Sequence, residues 1–233
     1  MKGLLGGLVA LDERLRADHW FLGAADRCHC LADYLPGRGY RANEVNQLIV
    51  NLKCPPSIEA IDPRRRHYKR EAIGQIARAL RAALCRSAVE CATWIPIPTS
   101  RPRRDADYDD RLQRILLAAF GDYALDLRTV LYQSTATASD HASARRISAE
   151  ALYRVIGLDR ALLARAPLRE RIVLFDDVLT TGKHYKCCER RLREALVDIP
   201  ISGLFVARRM LPRRRCRAPG PIQAGSARAL TVP

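Results

Sequence analysis

Residues 171–184 read Arg-Ile-Val-Leu-Phe-Asp-Asp-Val-Leu-Thr-Thr-Gly-Lys-His, and few folds can hold that order. Ile172 to Phe175 is a continuous apolar run. It has the length of a strand buried on both faces and is too short for a helix. Asp176 and Asp177 follow at its C-terminal end. Val178 and Leu179 lead on to Thr180, Thr181 and Gly182, and the spacing predicts a helix over 183–197. A strand buried on both faces needs cover on both sides. The string therefore points to an α/β protein with a Rossmann-like, mostly parallel sheet flanked by helices.

The rest of the chain repeats this alternation. Ile73, Ile76, Ala77, Leu80 and Leu84 recur at three- and four-residue spacing, which predicts a helix from Tyr68 onward. A strand over 93–97 ends in the polar residues Pro98, Thr99, Ser100 and Arg101. A helix over 108–120, a strand over 127–132, a helix resuming near 146 and a strand over 201–206 come after it. Residues 134–143 are small and polar and read as a loop. The first sixty residues are less periodic. They hold a turn at Pro36-Gly37-Arg38-Gly39, a helix over 44–52, a break at Pro55-Pro56 and the start of a basic loop over 57–67. Gly3 to Leu11 is apolar but runs into Asp12 and Glu13 without a small-residue cleavage site, so it reads as a core element rather than a secretion signal. Three regions are expected: an N-terminal hood or accessory region over 1–60, a main domain over 61–210, and a loose basic tail over 211–233.

Hydrophobic residues make up 48% of the chain and charged residues 28%, ordinary values for a protein with a proper core. The net charge of +15 favours anionic partners: phosphates, nucleic acid or membrane surfaces. No apolar run approaches membrane-spanning length, so no membrane partner is expected. The arginine-rich tail suits weak, non-specific nucleic-acid contact. The eight cysteines include no C-x-x-C, and reduced thiols in a cytoplasmic protein are expected. Cys28-His29-Cys30 resembles a zinc fragment but lacks the usual two-residue spacer and a second pair.

The start of a helix offers unpaired N–H groups and the positive end of its dipole, which together make an anion site. Thr180 and Thr181 can donate to phosphate oxygens, and Gly182 permits close backbone approach. Asp176 and Asp177 would repel phosphate, but they can accept hydrogen bonds from ribose hydroxyls. They can also stabilise positive charge developing on the sugar ring. A diol acceptor beside a phosphate cradle has the shape of ribose 5-phosphate. Rival motifs fail. His184 stands after Gly182-Lys183 where a P-loop needs Ser or Thr, Asp177 stands where its first glycine belongs, and G-x-G-x-x-G is absent. An ordinary strand–loop–helix junction accounts for one acid and one Thr but not for the whole string.

Four apolar residues, two acids, two apolar residues and Thr-Thr-Gly resemble the phosphoribosyl pyrophosphate signature of type I phosphoribosyltransferases. His184 departs from the usual Ser or Thr; it titrates near neutrality, which would make affinity pH-dependent. Asn51-Leu52-Lys53, Tyr68-Lys69-Arg70, Trp94 to Arg101 and Arg104 to Arg111 keep the order of the ComF-like, competence-associated branch. That branch's four-cysteine zinc module is missing, and its Gly-Phe-Asn-Gln appears here as Asp107-Tyr108-Asp109-Asp110. The resemblance implies the type I phosphoribosyltransferase fold over 61–210, with Asp176 and Asp177 as catalytic residues gripping ribose. Residues Val178, Leu179, Thr180, Thr181, Gly182, Lys183 and His184 would form the phosphoribosyl pyrophosphate loop. Thr99, Ser100 and Arg101 would hold pyrophosphate. A flexible loop over 133–146 would close with His141, Arg145 and Arg146. Lys53 and Lys69 are outlying anion-contact candidates. Mg²⁺ would arrive with the ligand rather than on a protein site. The implied activity is transfer of 5-phosphoribosyl to a nitrogenous acceptor, usually by a homodimer. The alternative is a non-catalytic phosphoribosyl pyrophosphate sensor or nucleic-acid-binding protein in a competence or phage-defence pathway.

Overall fold

The computed structural model describes residues 5–136, 147–196 and 198–211. The strands are β1 (Val9–Ala10), β2 (Arg27–Tyr34), β3 (Ala92–Pro96), β4 (Asp126–Leu127), β5 (Leu131–Gln133), β6 (Ile156–Leu158), β7 (Arg171–Leu179) and β8 (Ile201–Arg209). The helices are α1 (Glu13–Arg16), α2 (Glu44–Leu52), α3 (Pro56–Ile61), α4 (Pro63–Ala83), α5 (Arg86–Glu90), α6 (Arg111–Phe120), α7 (Ala149–Val155), α8 (Arg160–Ala164) and α9 (Lys183–Arg193). Six strands form one sheet in the order β1-β2-β8-β7-β3-β4. All its neighbours pair in parallel except β1, which lies antiparallel on β2 at the edge. The remaining two, β5 and β6, form a separate antiparallel ladder.

The two faces of β7 divide its apolar residues. Val173 and Phe175 pack with α2, α4 and α6. Ile172 and Leu174 pack with α7, α8 and α9. This alternation makes the run hydrophobic on both faces, as a central parallel strand requires. Burying each such side chain contributes about 1.5–3 kcal/mol. The expected α/β architecture, with a mostly parallel sheet covered by helices, is therefore present.

Several boundaries differ from the sequence reading. The basic stretch 57–67, expected as a loop, is helical: Pro56 and Pro63 stand at the first positions of α3 and α4. Proline is favoured there because its missing N–H has no partner in the first turn anyway. Asp62 caps α4, its carboxylate accepting from the Arg64 and Arg65 amides. The strand expected over 127–132 is split at Arg128, whose buried guanidinium donates to the Leu163, Ala166 and Pro167 carbonyls. Cys28 and Cys30 lie on β2, buried against the α9 side. In the stretch expected as an N-terminal core element, Leu11 is buried while Val9 is exposed on the edge strand. Residue 60 falls within α3, and β2, from the first sixty residues, is a strand of the main sheet. No described helix is long and apolar enough to cross a membrane. The tail over 212–233 lies outside the described residues.

Candidate functional site

Strands β3 and β7 are parallel neighbours, with Pro96 opposite Phe175 and the Ile97 amide donating to the Phe175 carbonyl at 2.8 Å. The chain leaves β3 toward α6 on one face of the sheet and leaves β7 toward α9 on the other. Such a reversal opens a crevice at the carboxyl ends of the strands, where ligands of doubly wound sheets bind. The segments 97–110 and 176–182 flank that crevice.

The two acids at its floor have different surroundings. Asp177 is buried and held by three contacts: Lys53 Nζ at 2.9 Å, Arg111 Nη2 at 2.6 Å and Arg111 Nε at 3.0 Å. Burial alone would push its carboxyl up, but Lys53 and Arg111 outweigh it and hold the group well below the usual carboxylate range. The ion pairs continue inward. Arg111 meets Asp109 at 3.1 Å, Asp109 meets Lys69 at 3.0 Å, and Lys69 meets Glu59 at 3.0 Å. Lys69 is fully buried and also donates to the Cys54 carbonyl. Lys53 and Lys69, expected as anion contacts, are thus committed to acids of the chain itself.

Asp176 is half-buried, and none of the described cations reaches it within ion-pair distance. Its Oδ1 accepts the Asp177 amide at 2.8 Å. Burial and the neighbouring Asp177 charge raise its carboxyl to about 7. One acid of the pair is consumed structurally, and the other keeps acceptor capacity.

Beyond the acids the chain turns into α9. Gly182 caps the helix with φ +83°, a left-handed conformation that favours glycine. The amides of Thr180, Thr181 and Gly182 make no hydrogen bond among the described residues, whereas the Lys183 amide donates to Thr181 Oγ1 at 3.3 Å. Three adjacent unpaired amides at the start of an 11-residue helix are the donors an anion requires. The other residues of the expected loop divide by role. Val178 and Leu179 are core side chains on opposite faces. Lys183 Nζ donates to the Ile147 carbonyl at 2.7 Å. His184 is half-buried in the first turn of α9.

Thr99, Ser100 and Arg101 leave β3 at the same sheet edge. Arg101 is exposed and pairs with Asp105 at 3.1 Å. His141, Arg145 and Arg146 lie outside the described residues.

Sequence reasoning missed two features. Arg111 enters it only as part of a family pattern, and nothing local marks it as the partner of Asp177. The segment 19–22 lies directly on the signature turn: the Phe21 amide donates to the Thr181 carbonyl at 3.0 Å, and the His19 ring bonds the Thr180 carbonyl. Leu22 fills the space beside Gly182, so a Cβ built at that glycine would stand 2.8 Å from Leu22 Cδ2. The glycine requirement therefore comes from backbone conformation and from Leu22 as well as from any ligand.

Fold and site together define a doubly wound α/β protein with an acid pair and, at its switch point, a turn of three amides unpaired among the described residues. No protein-family model matches the sequence, and no curated protein matches it.

Proposed function

We propose that this protein binds a ribose 5-phosphate group in the form of phosphoribosyl pyrophosphate, and transfers 5-phosphoribosyl to a nitrogenous acceptor with release of pyrophosphate. The observation that carries the reading is the juxtaposition of Asp176, which no described cation neutralises, with three unpaired amides a few residues on. The amides and the Thr180 and Thr181 hydroxyls hold the 5′-phosphate. Asp176 accepts from the ribose hydroxyls and faces the positive charge that builds on the ring as the bond to pyrophosphate breaks. Asp177 keeps the strand end in place through Lys53 and Arg111. Thr99, Ser100 and Arg101 hold the pyrophosphate.

Among the described residues no group of three or more His, Cys, Asp or Glu is arranged to hold a metal ion. In this proposal Mg²⁺ arrives with the ligand, where it neutralises the leaving pyrophosphate. The segments 97–110 and 176–182 leave adjacent parallel strands, and the ligand would lie between them. The type I phosphoribosyltransferase resemblance, and its ComF-like branch, belong to this proposal and stand on the signature residues.

Isothermal titration with phosphoribosyl pyrophosphate and Mg²⁺ tests it; no heat at millimolar ligand refutes it. A pyrophosphate-release screen across nitrogenous bases then separates transfer from binding alone. One observation favours a second reading. Asp177 is fully engaged by Lys53 and Arg111, which leaves a single acid for the sugar. A non-catalytic sensor of the same ligand needs no more than that, and would bind in the titration without releasing pyrophosphate.

A further inference from the structure

Residues 18–26 run across the signature turn and are fastened at both ends. At one end Asp18 meets Arg208 at 3.7 Å and accepts the Leu211 amide at 3.4 Å, while Arg209 donates to the Asp18 carbonyl at 3.3 Å. At the other end Asp26 meets Lys186 of α9 at 2.7 Å. Between them His19, Phe21 and Leu22 touch Thr180, Thr181 and Gly182 in that order. The contacts have one sense: the strap takes the carbonyls of Thr180 and Thr181 and none of the three amides. In each peptide plane the carbonyl and the amide of the next residue point in opposite directions. Anchoring the Thr180 and Thr181 carbonyls on the strap side therefore presents the amides of Thr181 and Gly182 to the other side.

We infer that His19 is a positioning residue for the anion cradle: it fixes the Thr180–Thr181 peptide, as Phe21 fixes the next, so that the Thr181 and Gly182 amides converge on a phosphomonoester. The inference rests on the reading that this turn holds phosphate. His19 is completely buried. A carbonyl oxygen can only accept, so Nδ1 carries the hydrogen and the ring is the Nδ1–H tautomer. Nε2 then holds a lone pair, and it has no hydrogen-bond partner among the described residues. A buried acceptor left without a partner is unfavourable, and its survival points to a role that the other ring nitrogen performs. Burial also lowers the imidazole's pKa, with Arg208 and Arg209 adding to that effect against Asp18 and the Thr180 bond, which keeps the ring neutral.

The test uses the full chain with two substitutions. His19→Asn places an N–H donor where Nδ1 stands and keeps the anchor. His19→Phe fills the space and removes it. Ribose 5-phosphate is the probe, titrated calorimetrically. His19→Phe should bind about tenfold more weakly than the wild type, and His19→Asn within about threefold of it. Equal affinity in all three proteins, or equal loss in both variants, overturns the inference. Amide hydrogen exchange at Phe21 provides a readout that needs no ligand. His19→Phe should lose protection there and His19→Asn should keep it. If exchange shows that pattern while the wild type fails to bind ribose 5-phosphate, the strap stands and the ligand reading fails alone. If Phe21 exchange is unchanged in His19→Phe, the strap itself is refuted.

Discussion

Two segments leave the same edge of the sheet from neighbouring strands and are held very differently. The turn after β7 is clamped from below by the ion pairs of Asp177 and from the side by the strap at His19, Phe21 and Leu22. The segment after β3 is anchored at its far end by Asp109 on Lys69 and Arg111, but its 99–105 stretch is held only by an exposed Arg101 on Asp105, by the Arg103 guanidinium on the Thr129 carbonyl, and by a 3.5 Å contact from the Thr99 hydroxyl to the Arg101 carbonyl. Exposed pairs contribute about 0–1 kcal/mol. A preorganised turn suits the part of a ligand that must be placed, and a loosely held one suits a group that must depart. The contrast predicts that damage to the first segment is read in stability and affinity together, and damage to the second in affinity alone.

The largest effect is expected at Arg111. Arg111→Met leaves Asp177 and Asp109 without the guanidinium between them, and breaking a buried pair costs about 3–5 kcal/mol. Urea denaturation checks this; a loss below about 1 kcal/mol would mean that the network does not hold the turn. Gly182→Ala comes next. It forces a side chain into left-handed backbone, worth about 1–2 kcal/mol, and drives the new methyl into Leu22. Together these should destabilise by about 2 kcal/mol or more and abolish ribose 5-phosphate binding. A variant that binds normally would show that the strap yields freely, which would erase the contrast between the two segments.

How much of the fold is legible in the sequence depends on how far each signal reaches along the chain. The β7 run and the α4 stripe carry their own periodicity, so both elements can be read locally. Strand β2 cannot. It is buried on both faces with Cys28 and Cys30 to one side and Leu31 to the other, so it shows neither alternation nor a branched apolar run. Its Cys-His-Cys looks instead like a metal fragment. Pro56 reads as a break, and Pro63 as part of a loop, because a helix breaker and a helix opener are the same residue. Only the tertiary fate of the next turn of chain distinguishes them. The acid pair is visible as a pair, but its asymmetry is not. Lys53 and Arg111 reach Asp177 from the end of α2 and the start of α6, far away in the sequence. His19 gives no signal at all, since a lone histidine between an acid and the short apolar run Trp20 to Leu22 is ordinary.

That asymmetry within the acid pair yields the next prediction. Asp176 has a carboxyl raised to about 7, so the folded state holds a proton that the unfolded state has released above about 4. Its contribution to stability is therefore present in acid and lost as pH rises from about 4 through about 7. Asp177 acts oppositely: its ion pairs stabilise above about 4 and are lost as pH falls. Asp176→Asn should remove the first trend and leave the second, measured as denaturation midpoints against pH. An ionised carboxylate accepts from ribose hydroxyls more strongly than a protonated one, so ligand affinity should rise as pH climbs through about 7 in the wild type. In Asp176→Asn affinity should be about tenfold lower above that pH, and the rise that ionisation of Asp176 causes should be gone. An unchanged affinity would remove Asp176 from the site.

The smallest effect on stability belongs to the other segment. Arg101→Ala should leave the denaturation midpoint within about 0.5 kcal/mol of the wild type, because Arg101 is exposed and pairs with a half-buried Asp105. Its expected consequence lies in ligand discrimination. If Thr99, Ser100 and Arg101 meet the pyrophosphate while the β7 turn meets the 5′-phosphate, the variant should lose affinity for phosphoribosyl pyrophosphate by about tenfold and keep its affinity for ribose 5-phosphate. Parallel titrations of the two ligands read the difference directly. Equal losses for both would place Arg101 beside the sugar phosphate, and no loss for either would make the segment after β3 an ordinary surface loop, leaving the β7 turn to hold the ligand alone.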